Sequence, residues 1–234
     1  MLIMIYSPSL KRNRQRKTNY RKRAALLISK SPFITIKISD QNVTSQVLKA
    51  TRSGDVVISS VHSRELKNHG WKGSMNSLPA CYLTGLLVGK KSIEKGTDTA
   101  ILYTGKDPFT TRIAACLKGI VAAGLNVPVS DKSLPKDDRI SGEHIVKYAK
   151  ILKEDQENYN TRFSLLLKGG LKPEDYPLHF EKIKMQISGK GVIKKDELEE
   201  QTNEKGVLHK RDPIKGKDDT KEIKAETESS VKGR

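Results

Sequence analysis

The run Lys11-Arg-Asn-Arg-Gln-Arg-Lys-Thr-Asn-Tyr-Arg-Lys-Arg23 carries eight basic side chains in thirteen residues and no acid. Cations at this density neutralise phosphates and release the counterions condensed on a nucleic acid, so affinity falls steeply with salt. Lys11, Arg12, Arg14, Arg16, Lys17, Arg21, Lys22 and Arg23 are therefore candidate phosphate contacts, and each arginine can engage a phosphate through two parallel bonds. Tyr20 offers a ring for stacking on an unpaired base, and Asn19 is one of several polar spacers able to reach phosphate, ribose or base edges. A bare basic run serves about as often as a localisation signal or a solubilising arm. The polar interleaving, Tyr20 and the basic body that follows turn the reading towards RNA.

A second cluster spans residues 62–74, His62-Ser-Arg-Glu-Leu-Lys-Asn-His-Gly-Trp-Lys-Gly-Ser74. Arg64, Lys67 and Lys72 are further phosphate donors. Trp71, the only tryptophan, lies between Gly70 and Lys72-Gly73, where a backbone can approach closely. The stretch reads as an RNA-facing loop, although Trp71 itself is expected to bury most of its ring in the core. His62 and His69 are seven apart with no thiolate or carboxylate set around them, so no metal site is expected.

Catalytic chemistry finds little support. A metal nuclease needs acids projecting from strands, whereas Asp40, Asp55 and Asp98 fall in turns or at element boundaries, where Asp makes local hydrogen bonds. No phosphate-binding loop or dinucleotide fingerprint follows a strand. Cys81 and Cys116 lie in Ala-Cys-Tyr-Leu and Ala-Cys-Leu settings and read as small core residues without an activating partner. No catalytic residue and no cofactor is expected.

The elements that must carry these residues follow from pattern. Segments 33–38, 43–48 and 56–61 are rich in β-branched residues and separated by short turns, the signature of an antiparallel meander. From Ser77 to Ile93 the apolar and small residues recur with helical period, and Gly85 and Gly89 fall one turn apart, where a neighbouring backbone could approach. Segment 100–103 reads as a fourth strand. Thr110 or Thr111 can cap a helix running to Gly124. Ser141 can cap another through Leu152, a further stretch carries Tyr159 and Phe163 to Gly169-Gly170, and Pro177 opens a last one through Ile187. The fold class is α/β: a mixed sheet beginning with an antiparallel meander, helices packed on it, a basic N-terminal arm and a helical C-terminal subdomain.

The chain has 234 residues with Lys plus Arg 44 against Asp plus Glu 27, a formal charge of +17 that favours a polyanionic partner. Nine of the Lys/Arg residues and none of the acids fall in residues 1–31. Four segments follow: a basic RNA-binding arm over 1–31, an α/β body over 32–140, a helical subdomain packed on it over 141–188, and a charged, disordered tail over 189–234. That tail holds 12 basic and 11 acidic residues, and its composition cannot offset its ordering entropy. Mean hydropathy is −0.56, and no apolar run reaches the roughly 18 residues of a membrane span. The apolar opening Met1–Tyr6 precedes its basic residues, the reverse of a secretory signal. With two cysteines and no disulfide framework, the expectation is a reduced, intracellular protein with no membrane partner.

The order of these motifs is also familiar. Arg16-Lys-Thr-Asn-Tyr-Arg-Lys-Arg23, His62-Ser-Arg-Glu-Leu66, Gly70-Trp-Lys-Gly73 and Pro79-Ala-Cys-Tyr-Leu-Thr-Gly85 closely resemble the archaeal and eukaryotic-type large-subunit ribosomal protein that binds 5S rRNA, number eighteen in the bacterial and archaeal scheme and five in the eukaryotic. Ala114-Ala-Cys-Leu-Lys-Gly119, Ala123-Gly124 and Ile140-Ser-Gly-Glu-His-Ile145 extend the match, which covers about residues 8–188. The resemblance implies a structural role: attaching 5S rRNA to the large-subunit (23S-type) rRNA in the central protuberance, beside neighbouring ribosomal proteins, in a cytoplasmic ribosome of archaeal type. It carries over Arg16, Lys17, Tyr20, Arg21, Lys22 and Arg23 in the arm, then Arg64, Trp71, Lys72 and Gly73, and Arg112 in the loop before the second long helix. Asn19 replaces the family's usual Asp, residues 74–79 depart from the family pattern, and the loop before Arg112 lacks its usual Gly. An RNA-processing enzyme and a general basic nucleic-acid binder are the alternatives.

Overall fold

Three strands form the meander. In a computed structural model, which describes residues 9–15, 17–105 and 107–189, β1 (Phe33–Ile38), β2 (Val43–Thr51) and β3 (Gly54–His62) pair antiparallel in sequence. The fourth strand is shorter than expected: β4 is only Ile101–Leu102, parallel to β1, in a sheet ordered β3-β2-β1-β4. Its neighbour Ala100 donates instead to the carbonyl of Asn126 at 3.0 Å, which limits the ladder. A parallel pair needs a long crossover, supplied here by α3 (Leu78–Glu94).

Register assigns the two faces of the sheet. Ile34 pairs with Val47 and Ile36 with Ser45, while Val47 faces Ser59 and Ser45 faces Val61, so these side chains share one face. They are buried beneath α3 and α4 (Thr111–Ala122). Ser77 and Thr110 accept from backbone N–H groups in the first turns of α3 and α4. The two helices touch backbone to backbone. A Cβ added at Gly85 would lie 2.0 Å from the Cys116 carbonyl oxygen, and one at Gly119 would lie 2.1 Å from that of Tyr82. Cys81 and Cys116 are fully buried beside this contact, and burial pushes the Cys81 thiol up to about 12.

The C-terminal part is helical but more broken than its periodicity suggests. Ser141 does not open a helix. It ends α5 (Asp137–Ser141), and Gly142 at φ 90° turns the chain into α6 (Glu143–Leu152), a conformation that disfavours a side chain. The next stretch divides at Phe163 into α7 (Gln156–Arg162) and α8 (Ser164–Lys168). Pro177 lies in the first turn of α9 (Tyr176–Ser188), whose Tyr176, Phe180, Ile183 and Ile187 join the core.

The basic arm contains α1 (Lys11–Arg14) and α2 (Tyr20–Ile28). Met1–Tyr6, Arg16 and, except for Gly189, the charged tail lie outside the described residues.

Gly85→Ala should destabilise the body despite Ala's greater helix propensity. That propensity is worth about 1 kcal/mol, whereas overpacking costs about 1–3 kcal/mol and more where the obstacle is backbone. Urea unfolding should show a net loss of about 2 kcal/mol; an unchanged or raised midpoint would mean that the helices are free to separate.

Candidate nucleic-acid interface

The sheet face away from α3 and α4 carries polar residues. Period-two alternation puts Thr35 and Lys37 opposite Ile34 and Ile36, with Gln46 and Leu48 beside them on β2. Over this face lies a cleft of about 600 Å³, lined by Arg12, Lys17, Thr18 and Arg23 from the arm, by Lys37 and Gln46, by Tyr103 and Thr104 after β4, and by two acids, Asp55 and Asp107. Lys11, Arg12, Arg14, Lys17, Arg21 and Lys22 are exposed, and Tyr20 keeps 38% of its surface. These groups can meet phosphates and a base from solvent. Lys37, Gln46 and Tyr103 were not singled out from the sequence, yet the alternation in Phe33-Ile-Thr-Ile-Lys37 already separates Lys37 from the apolar face.

Two arm residues have positions that change their reading. Asn19 accepts from the Lys22 N–H at 3.2 Å and caps α2. Asn and Asp cap comparably well, so an Asp at this position would hold the helix in the same way. Arg23 is clamped to the body: its Nη2 donates to Asp55 Oδ1 at 2.5 Å, and its guanidinium carbon lies 6.0 Å from the centre of the Phe33 ring. The Asp55 bond is the main cause of the upward shift of its pKa. Asp55 thus serves a residue 32 positions away, where a local turn contact was expected. With Leu26 buried, this pair anchors α2 on the sheet.

The second cluster is a rigid turn. A 3-10 helix, Ser63–His69, is capped at both ends of its first turn: the Arg64 N–H donates to His62 Nδ1 at 3.1 Å, and the His62 N–H donates to Glu65 Oε1 at 2.9 Å. Lys91 on α3 donates to the other Glu65 oxygen at 2.6 Å. Burial works against the Glu65 charge, but the Lys91 and His62 bonds outweigh it and hold the carboxyl below its ordinary value. Arg64 and Lys72 are exposed.

Trp71 and Gly73 are not free to meet RNA. Trp71 is 3% exposed, T-shaped against Tyr176 at 5.6 Å and stacked on His179 at 5.2 Å. A Cβ at Gly73 would lie 2.6 Å from the Trp71 ring and 2.8 Å from the Tyr176 hydroxyl, so the glycine serves packing. Their contribution is to hold Lys72, whose N–H donates to His179 Nε2 at 3.1 Å. Arg112 reaches across to donate to Asn76 Oδ1 at 2.8 Å, and Asn76 in turn donates to the Asp40 carbonyl at 2.9 Å, bracing the 74–79 loop. Among the described residues no group of three or more His, Cys, Asp or Glu comes together, and no helix is long and apolar enough to cross a membrane.

A helix-backed sheet with a strongly basic arm against its other face defines a basic, two-layer α/β protein. Residues 5–111 match the family described as ribosomal large subunit proteins 60S L5 and 50S L18. Over 185 residues the chain is 46% identical to the large ribosomal subunit protein uL18 of Thermofilum pendens, covering 78% of this chain and 94% of the relative. The chain belongs to this family of archaeal and eukaryotic-type large-subunit ribosomal proteins. Its role is structural, within the ribosome, with rRNA and ribosomal proteins as partners; the family is not one of enzymes.

His179 supplies a pH test of the turn. Its pKa is lowered from 6.5, first by burial and then by the nearby charges of Lys72 and Lys182. A depressed histidine contributes stability that is complete above its unfolded pKa of about 6.5 and is lost as pH falls through the lower folded value. Trp71 fluorescence should therefore be flat from about pH 8 to 6.5 and change only below that. His179→Gln should abolish the step; the same step in that variant would place the titration elsewhere.

Proposed function

We propose that the chain binds 5S rRNA and helps attach it to the large-subunit rRNA in the central protuberance. The observation that carries this reading is the convergence of Arg12, Lys17 and Lys37 over a sheet face that no long helix covers. Such a face offers phosphate contacts from the cations, while Thr35, Gln46 and the Tyr20 and Tyr103 rings offer polar and stacking contacts suited to RNA. The resemblance of the arm and of the 62–73 motifs to the 5S-binding family supports 5S rRNA as the RNA concerned. In this reading Lys11, Arg12, Arg14, Arg16, Lys17, Arg21 and Lys22, with Tyr20, Arg64, Lys72 and Arg112, face RNA. Asn19, Arg23, Trp71 and Gly73 hold them in place. The helical 141–188 segment is a support for the 62–73 turn.

Replacing Lys11, Arg12, Arg14, Arg16 and Lys17 together with Ala should weaken 5S rRNA binding with the fold intact by circular dichroism. The slope of log affinity against log salt should shrink by about 0.7–0.9 for each phosphate that is no longer neutralised. Tyr20→Ala should instead cost about 1–3 kcal/mol with the slope nearly unchanged, as removal of one stacked base would. Fluorescence anisotropy at several salt concentrations separates the two effects. An unchanged slope in the five-fold variant would remove the arm from the interface.

A further inference from the structure

A second cationic concavity lies where the 63–69 turn meets α9. It is a groove of about 460 Å³ lined by Asn68, His69, Lys72, His179, Lys182 and Gln186, with Gly70, Leu171 and Ile183 beneath, and no acidic side chain lines it among the described residues. Lys91, Lys118 and Lys153 are neutralised by Glu65, Asp137 and Glu174, whereas Lys72 and Lys182 take part in none of the four ion pairs of the described residues. Both ammonium groups nonetheless act on one ring, that of His179. The groove is also built on a stiff base. His179 is stacked on buried Trp71 and accepts the Lys72 N–H, so Nδ1 carries the proton of the neutral ring. Gly70, at φ 80°, turns tightly over Ile183.

We propose that this groove seats a backbone phosphate of rRNA between Lys72 and Lys182, with Asn68, His69 and Gln186 as further donors, so that α9 forms part of the RNA interface. The proposal rests on the RNA-binding reading above and extends it to a helix whose 141–188 segment carries a net charge of only +1. Two uncompensated cations that line one groove repel each other, and one phosphate relieves that repulsion while accepting hydrogen bonds from both. The amide donors of Asn68 and Gln186 suit the remaining phosphate oxygens and add no charge. A phosphate there would also favour the protonated form of His179, because its charge offsets those of the two lysines.

The test uses the full chain in two arms. In the first, His179 is titrated by NMR in inorganic phosphate and in chloride at equal ionic strength. Phosphate should raise the His179 pKa in the wild type, and Lys182→Gln should remove the difference. In the second, 5S rRNA affinity is measured against salt for Lys182→Gln and for Lys184→Gln. Lys182 is exposed, so its replacement leaves the core intact. Lys184 on the same helix lies over the Tyr82 ring at 5.6 Å, outside the groove, and controls for net charge. Lys182→Gln should lower the salt slope by about 0.7–0.9, the effect of one phosphate, and Lys184→Gln should not. No difference between phosphate and chloride, or equal slopes for the two variants, would overturn the proposal. A His179 response to phosphate with a wild-type slope for Lys182→Gln would make the groove a free-anion pocket, which also overturns it. If the wild type fails to bind 5S rRNA, the 5S reading falls, and the phosphate titration still decides the groove.

Discussion

Gly85 and Gly119 allow the backbones of α3 and α4 to touch, and the layered body depends on that contact. A side chain at either position would run into a carbonyl oxygen of the other helix. With it, two helices fit side by side over the buried face of a four-stranded sheet and cover Ile34, Ile36, Val47 and Val61. Helix pairs normally stand 8–10 Å apart, with the spacing set by the residues at the contact. Small residues at this crossing keep the layer narrow. The opposite face of the sheet is left to Thr35, Lys37 and Gln46, and to the arm.

Charge and packing are divided between different residues within each motif. In the arm, Arg23 and Leu26 fasten α2 to the body and Asn19 caps it, which leaves Arg21 and Lys22 exposed. In the 62–73 turn, Glu65 is tied to Lys91 and Trp71 to Tyr176 and His179, which leaves Arg64 and Lys72 exposed. Cations that bind a polyanion gain when their backbone is already fixed, because less conformational freedom is given up on binding. The buried aromatic cluster and the surface cations are therefore parts of one device, although only the second touches RNA in the proposed complex.

Local signals in the chain were legible and distant ones were not. The meander, the helix over the 77–93 periodicity, the Thr110 cap and the Pro177 start all depend on neighbours within a few residues, and the structure has them. The partner of Arg23 is 32 residues away, and Lys72 meets His179 across 107. No periodicity encodes such pairings, so the sequence showed neither the Asp55 partner of Arg23 nor the His179 that holds Lys72. Ser141 failed as a cap for a local reason: the left-handed Gly142 beside it ends one helix and begins the next. Lys37 and Tyr103 were missed because the basic arm dominates the charge pattern. The alternation along β1 places Lys37 on the open face, but Tyr103 joins it only when β1 and β4 pair.

The central claim is that the cations are arranged for one folded RNA and do more than attract any polyanion. Competition measures this directly: labelled 5S rRNA bound to the intact chain at moderate salt, challenged with unlabelled 5S rRNA or with duplex DNA of equal length. Phosphate attraction alone treats the two competitors alike, whereas an arranged surface does not. The account predicts displacement by 5S rRNA at concentrations at which the duplex leaves the complex intact. Equal displacement by both would contradict it and leave a general basic nucleic-acid binder.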